Sequence, residues 1–367
     1  MSTRDLYDLD GHKLIYHPER VAQWRAASDD WEKLKKVYPI YVEISPSGAC
    51  NHRCSFCAMD YIGYRGRYLS LETISQRVPE MASLGLKSLL QGGEGEPLLN
   101  RDFARISSAI HRAGIDQALT TNAVLLSRDL VEETLDCFSW IKVSIGAGSP
   151  HTYAKIHQTK ERDFSRVVEN LRYAVAVRNS RKNRCTLGVQ LLLLPENAHE
   201  VKRLALICRD TIGLDYLVVK PHSQHPFSLN RQYSNLDYAS LTANVDDVEN
   251  LSTDEFQVII RRNTMSRRDQ RRAYSVCRAT PFFWTNIQSN GDVYGCNAFL
   301  QKSEEFYLGN ICEESFKDIW EGDRRRRCYE HIQRGLDIEK CRSNCRMNLI
   351  NEYLDELMRP VEHVNFI

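Results

Sequence analysis

Between residues 38 and 220 the apolar positions of the chain alternate between two periods. The runs Tyr38–Ile44, Lys87–Gln91, Gln117–Thr120, Trp140–Ile145, Thr186–Leu194 and Tyr216–Lys220 have the length and the β-branched or aromatic content of strands. Between them, Leu71–Leu84, Asp102–Ala113, Arg128–Asp136, Phe164–Arg178 and Glu200–Ile212 repeat apolar positions at the spacing of one helix face. Strand and helix in alternation mark βα units on a parallel sheet. Six units are two short of a closed eight-fold barrel. The expected fold is therefore α/β, a partial (β/α)6 TIM barrel with its chemistry at the strand C-termini.

The flanking segments read differently. His17–Val37 has a helical pattern with Val21, Trp24 and Trp31 on one face, expected to cover one end of the barrel. Residues 226–276 read as a polar linker ending in Arg261, Arg262, Arg267, Arg268, Arg271 and Arg272. Such a run is by default a solvated face; docking an acidic protein or gripping a substrate phosphate are the functional alternatives. From Phe282 to Cys296, Asn290-Gly291 between apolar runs predicts a hairpin with a type I′ turn. A helix is expected around Ser315–Gly335, with Arg324–Arg327 as plain surface. The division expected is an extension (1–37), a core (38–225), a linker (226–276), a small α+β domain (277–350) and a tail (351–367).

At 367 residues the chain can hold one large core and a smaller one. Its net charge of +1 creates no field favouring nucleic acid or an anionic membrane. MSTRDLYDLDGHK lacks an apolar signal-peptide core, and the longest apolar run, Leu191–Leu194, is too short to span a bilayer. With twelve cysteines, this points to reduced thiols, metal clusters and a cytoplasmic location rather than disulfides.

The most informative residues follow the first strand. Cys50, Cys54 and Cys57 form C-x3-C-x2-C. Three thiolates in one loop ligate three irons of a 4Fe–4S cubane and leave the fourth open. Zinc is the plainer alternative, but His52 would strain a tetrahedral site and no second C-x2-C accompanies the first. The other strand ends carry Gly92-Gly93-Glu94-Gly95-Glu96-Pro97, Asn122, Ser144 and Lys220-Pro221-His222-Ser223-Gln224-His225, with Gln190 on the fifth strand. Lys220, His222 and His225 are candidates to bind or deprotonate a polar substrate, with a satisfied polar loop as the alternative.

A second cysteine set brackets the hairpin, Cys277 and Cys296, and returns on a short loop, Cys341 and Cys345. Four thiolates close either a second 4Fe–4S cluster or a structural zinc site. Cys137, Cys185, Cys208, Cys312 and Cys328 read as buried small hydrophobes, with Cys312 and Cys328 as possible substitute ligands or hydrogen donors.

The C-x3-C-x2-C spacing, Phe56 before its last cysteine and the strand leading into it resemble the radical S-adenosylmethionine (radical SAM) superfamily. The C-x18-C-x44-C-x3-C layout, with Leu308-Gly309-Asn310-Ile311 and Ser315-Phe316-Lys317-Asp318-Ile319-Trp320 between the pairs, resembles its "twitch" module, a shortened SPASM domain. The resemblance implies that SAM chelates the open iron and, on receiving an electron, yields a 5′-deoxyadenosyl radical that takes a substrate hydrogen. It implies cofactor contacts at Phe56, Gly92, Gly93, Glu94 or Glu96, Asn122, Ser144 and Gln190, and one auxiliary cluster. The expected activity resembles that of 2-deoxy-scyllo-inosamine dehydrogenase-type enzymes: oxidation of a sugar-like or aminocyclitol alcohol, phosphorylated or nucleotide-linked forms included, with the auxiliary cluster as electron acceptor. Epimerisation, dehydration and peptide modification are the alternatives. Flavodoxin or ferredoxin is the expected electron donor.

Overall fold

The computed structural model describes residues 7–366 apart from 244, 246 and 269. Residues 1–6 of the expected extension and the last residue of the tail lie outside them. Ten strands form one sheet: β1 (Tyr41–Ile44), β2 (Ser88–Gln91), β3 (Asp116–Thr121), β4 (Trp140–Ser144), β5 (Thr186–Leu193), β6 (Tyr216–Pro221), β7 (Gln257–Ile260), β8 (Trp284–Ile287), β9 (Asp292–Tyr294) and β10 (Tyr307–Asn310). Their order is β10-β9-β8-β1-β2-β3-β4-β5-β6-β7. From β8 across to β7 every neighbour is parallel, and β9 and β10 run antiparallel. β7 and β10 are unjoined edges, so the barrel is open.

The six expected strands are present. The stretch read as a linker adds β7, whose four residues sit among polar ones and offer too short a pattern to stand out. The hairpin does not found a separate sheet: Tyr41–Ile44 pairs residue for residue with Trp284–Ile287.

Alternation along the strands decides what faces the helices. Ile141, Val143, Leu187, Val189, Leu217, Val219, Val258 and Ile260 lie in one core with Leu171 and Ala174 of the helix Glu161–Arg181 and Leu204 of Val201–Leu206. Val42, Ile44 and Leu89 share another core with Ile287, Val293, Leu308, Phe316 and Trp320, so the barrel and the C-terminal module are packed as one. The opposite face looks into the barrel. There Tyr216, Val218 and Ile259 are covered at the strands' N-terminal side by Tyr7 and Leu9.

Four expectations change. The helix Pro18–Ala27 packs Val21 and Trp24 against Phe282, Phe283, Trp284, Met347 and Leu354 as well as Ile40, just before β1, with Arg20 donating to Gly85 O (3.3 Å), so it covers the seam of barrel and C-terminal segment rather than the barrel alone. The helix expected over Ser315–Gly335 is two, Phe316–Glu321 and Asp323–Arg334, broken at Gly322. The hairpin turn is not type I′, because Gly291 alone of the pair has positive φ (88°). Gly291 N–H donates to Gln288 O (2.9 Å) and Gln288 N–H to Asp292 O (2.8 Å), a three-residue loop that frees Gln288 and Ser289 to reach another partner. The basic residues are largely structural. Arg261 pairs with Asp10, Arg262 with Glu249 and Arg267 with Glu352, while Arg268 and Arg272 donate to backbone carbonyls. Arg325 is 1% exposed, donates to Pro281 O (3.0 Å) and Trp320 O (2.8 Å), and lies 3.9 Å from the Trp320 ring centre.

Candidate functional site

β1 delivers its chain into the loop holding Cys50, Cys54 and Cys57, and all twelve cysteines are free thiols. Burial raises all three thiols, Cys50 to about 11, and the sulfurs also repel one another's charged forms. Crowded, desolvated thiolates are stable when a cation is bound among them, so the donor set fits a metal cluster. Residue 157 supplies a contact the sequence concealed. His157 Nε2 accepts from Gly146 N–H (3.0 Å), which places the ring proton on Nδ1, 3.2 Å from Cys54 Sγ. His52, Cys54 and His157 bring their ligand atoms within 4.8 Å of one another. Phe56 meets the His157 ring edge-on at 5.5 Å. Cys54 and His157 are 103 residues apart, with no spacing to signal the pair.

The glycine-rich loop after β2 closes over the lead-in to the cysteines. A Cβ on Gly93 (φ +92°) would fall 1.9 Å from Ser45 Oγ, and one on Gly95 2.3 Å from Ala49 O. Gly93 thus admits the Ser45 side chain and Gly95 protein backbone, whereas Gly92 has only ordinary contacts from 3.8 Å outward. Glu94 and Glu96 are buried but face different ways. Glu94 accepts from Ser289 N–H (2.7 Å) and Gln288 Nε2 (2.9 Å) of the hairpin loop. Glu96 accepts from Asn122 N–H (2.8 Å), Thr121 Oγ1 (2.5 Å) and Leu98 N–H (3.2 Å), and its charge acts on Cys50 and Cys54. Burial pushes its carboxyl above the usual range. Asn122 Nδ2 donates to Asn51 Oδ1 (2.7 Å) inside the cysteine loop. Across β4 and β5, Gln190 Nε2 donates to Ser144 Oγ (2.8 Å), leaving Gln190 Oε1 buried and unpartnered.

At the end of β6, Lys220 points into the barrel and burial holds its amine well below the ordinary range. His222 Nδ1 is buried without a partner, and burial, with the charges of Arg342 and Arg268, pulls the ring down to about 4. His225 is committed at both nitrogens: Nδ1 accepts from Phe227 N–H (3.2 Å) and Nε2 meets Asn297 O (3.4 Å). Its ring stacks on Tyr61 at 5.0 Å.

Cys277, Cys296, Cys341 and Cys345 line one cavity, walled by Phe299, Phe306, Ile332, Leu336 and Ile338. Burial raises Cys341 to about 12 and lifts Cys296 and Cys345, each further opposed by the neighbouring sulfurs. Four convergent thiols in a largely apolar enclosure fit a fully ligated cluster. Of the other cysteines, Cys185, Cys208 and Cys328 are buried, Cys137 is partly buried, and Cys312 is exposed.

Residues 44–207 match the family model "Radical SAM superfamily", and residues 277–346 match "SPASM", an iron-sulfur cluster-binding domain. The chain carries a radical SAM domain followed by a SPASM domain. The radical SAM domain brings a 4Fe–4S cluster and SAM, and the SPASM domain auxiliary iron–sulfur binding. Among curated relatives, the GTP 3′,8-cyclase of Actinobacillus succinogenes is 31% identical over 138 residues, and that of Tolumonas auensis 35% over 141. Each match spans 36% of this chain and 40% of the relative. Streptococcus suis SuiB bound to precursor peptide SuiA aligns over 88% of this chain and 71% of its own (TM-score 0.62, 18% identity). Native anSMEcpe with bound AdoMet aligns over 87% and 95% (TM-score 0.57, 16% identity). These structures share the fold. No helix among the described residues is long and apolar enough to cross a membrane.

Proposed function

We propose that this radical SAM enzyme oxidises an alcohol of a polar, sugar-like or aminocyclitol substrate to a ketone and sends one electron to a single auxiliary cluster. The observation that carries the reading is the bridge between the thiol sets. His225 bonds the carbonyl of the residue after Cys296 and stacks on Tyr61, four residues beyond Cys57. This contact supports a redox partner for the first site beside the reaction chamber. When bound, the cluster at Cys50, Cys54 and Cys57 and its SAM supply the hydrogen-abstracting species, and the cluster at Cys277, Cys296, Cys341 and Cys345 supplies an electron acceptor.

The chain's own residues divide the remaining work. Glu96 meets the SAM ammonium: it is a buried carboxylate beside the cysteine loop to which no cation among the described residues is bonded, while Glu94 is spent on the hairpin. Phe56, Asn122, and Ser144 with the free Oε1 of Gln190 complete the SAM pocket, and Gly93 and Gly95 hold the loop close to it. His222 takes the hydroxyl proton, because its Nδ1 has no partner and its ring stays neutral above about pH 4. His225 positions rather than titrates. A flavodoxin or ferredoxin supplies the initiating electron.

Peptide modification is the second reading. It is favoured by the peptides in the SuiB and anSMEcpe structures, although the shared feature at that identity is the fold.

Anaerobic reconstitution with iron and sulfide counting tests the cofactor assignment. About eight irons should fall to about four in Cys50→Ala/Cys54→Ala/Cys57→Ala. Four or fewer in the wild type would refute it. An alcohol deuterated at the carbinol carbon tests the reaction: deuterium should enter 5′-deoxyadenosine with one ketone formed per 5′-deoxyadenosine. An inverted alcohol would indicate an epimerase, loss of water a dehydratase, and turnover of peptides alone the second reading.

A further inference from the structure

The inner face of the barrel carries two lysines that no carboxylate among the described residues answers. Lys142 on β4 and Lys220 on β6 alternate with Ile141, Val143 and Val219, which face the helices, so both lysines face inward. They lie deep in the barrel yet keep some exposure, and each is close enough to Arg261 for their charges to oppose one another. Lys220 also feels Lys142 and Arg342. Burial brings Lys142 down to about 8.

The nearby cations differ in what they hold. Arg261 is answered by Asp10, and Arg346 by Glu43. Among the described residues Arg342 donates to Ser223 Oγ alone (3.2 Å), and its charge also acts on Cys345 of the second thiol set. Lys142 has the Trp140 ring at 5.0 Å. Among the described residues, no carboxylate is paired with Lys142, Lys220 or Arg342. Desolvated ammonium groups without a counter-ion are costly, and a fold that keeps two on one inner face leaves a place for a charge brought from outside. His222, two residues beyond Lys220, feels the same Arg342, so the cations border the reaction chamber.

We propose that Lys142, Lys220 and Arg342 form an anion-binding subsite on the inner face of the barrel, which seats a phosphate or carboxylate group of the substrate. The subsite rests on the reading of the strand ends as the reaction chamber and adds the substrate's class: an anionic molecule. Lys220 is thereby an electrostatic anchor, and His222 remains the proton acceptor. The anchor holds the substrate at a charged end remote from the carbon that reacts, which fixes its depth and orientation.

The test uses reconstituted holoenzyme under anaerobic conditions. Thermal midpoints are compared in inorganic phosphate, in acetate and in chloride at matched ionic strength, for wild type, Lys142→Met and Lys220→Met. Phosphate or acetate should raise the wild-type midpoint above that in chloride by about 2–4 °C, and the gain should vanish in both variants. In chloride the variants should melt at or above the wild type, since an uncompensated buried charge is gone. The effective anion tells phosphate from carboxylate. No gain over chloride in the wild type, or the same gain in the variants, overturns the proposal; if one variant does not fold, the other decides. Substrate-free SAM cleavage is measured on the same preparations. Its absence alongside an intact anion effect would count against the radical reading and leave the subsite standing.

Discussion

Replacing Gly95 by alanine puts one methyl group where the structure has no room. Its Cβ would stand 2.3 Å from Ala49 O, 2.4 Å from Ser47 O and 2.8 Å from Gly48 C, all backbone atoms unable to rotate away. The glycine-rich loop would have to withdraw about 0.7 Å for the first contact to reach 3.0 Å. That withdrawal pulls on the hydrogen bond from Glu96 N–H to Ala49 O, now 2.8 Å, and carries the Glu96 carboxylate away from the cysteine loop. Overpacking of this kind costs about 1–3 kcal/mol, and the weakened hydrogen bond adds about 0.5–1.5 kcal/mol. A misplacement approaching 1 Å at a binding carboxylate lowers turnover by about 100-fold. The assay is anaerobic 5′-deoxyadenosine formation with a SAM titration and an iron count. Iron content should hold while SAM affinity and rate fall. Gly66→Ala is the control, since nothing stands within 4 Å of a Cβ there, and it should keep the wild-type rate. A Gly95→Ala enzyme within threefold of wild type would refute the claim that this close approach sets the position of Glu96.

Further outcomes follow from the same geometry. Glu96→Gln should weaken SAM binding about tenfold or more and also lower the melting midpoint, because its amide would turn a donor toward buried donors whose hydrogen bonds the carboxylate now accepts. Glu94→Gln should lower the midpoint alone, by loosening the hairpin loop at Gln288 and Ser289, with SAM affinity kept; paired melting and SAM-binding curves separate the two. His157→Phe removes the Nδ1–H beside Cys54 Sγ, and a redox titration followed by electron paramagnetic resonance should show a more negative potential, an unchanged one refuting the contact. Arg325→Ala should destabilise the fold by about 3–5 kcal/mol, because it strips several carbonyls of their donor and leaves a cavity among the rings, whereas Arg325→Met, which loses the same charge and donors but fills more of the space, should cost less in a denaturant titration.

The parts of the molecule legible from sequence are those where one local signal suffices. Apolar runs such as Thr186–Leu193 become central strands because any partner on either side buries them. The C-x3-C-x2-C loop states its chemistry within eight residues. Other parts depend on company the sequence does not announce. Arg325 sits inside four consecutive arginines and looks like surface, yet the aromatic rings of Trp320, Phe282 and Trp31 enclose it. Lys142 occupies an inward strand position that matters only once β6 brings Lys220 to the same face. The two glutamates of the glycine-rich loop are indistinguishable by motif, and their separation appears only when the hairpin loop claims one of them. His225 looked like a base until both ring nitrogens were found engaged.

The pairing of β1 with β8 also bears on how the protein is made. β1 is interior to the sheet, but its partner on one side is encoded some 240 residues downstream, Tyr41 lying opposite Trp284. On a ribosome emitting the chain from its N-terminus, β1 keeps a bare hydrogen-bonding edge until Ile287 has emerged, so the loop carrying Cys50, Cys54 and Cys57 is anchored on one flank only. By then Cys277 is already out and Cys296 follows within ten residues. Strand docking thus makes the first thiol set a finished receptacle only when the second is being completed. Iron–sulfur delivery to both is, on this architecture, an event of late or post-translational maturation, and a truncated chain ending before β8 should accept neither.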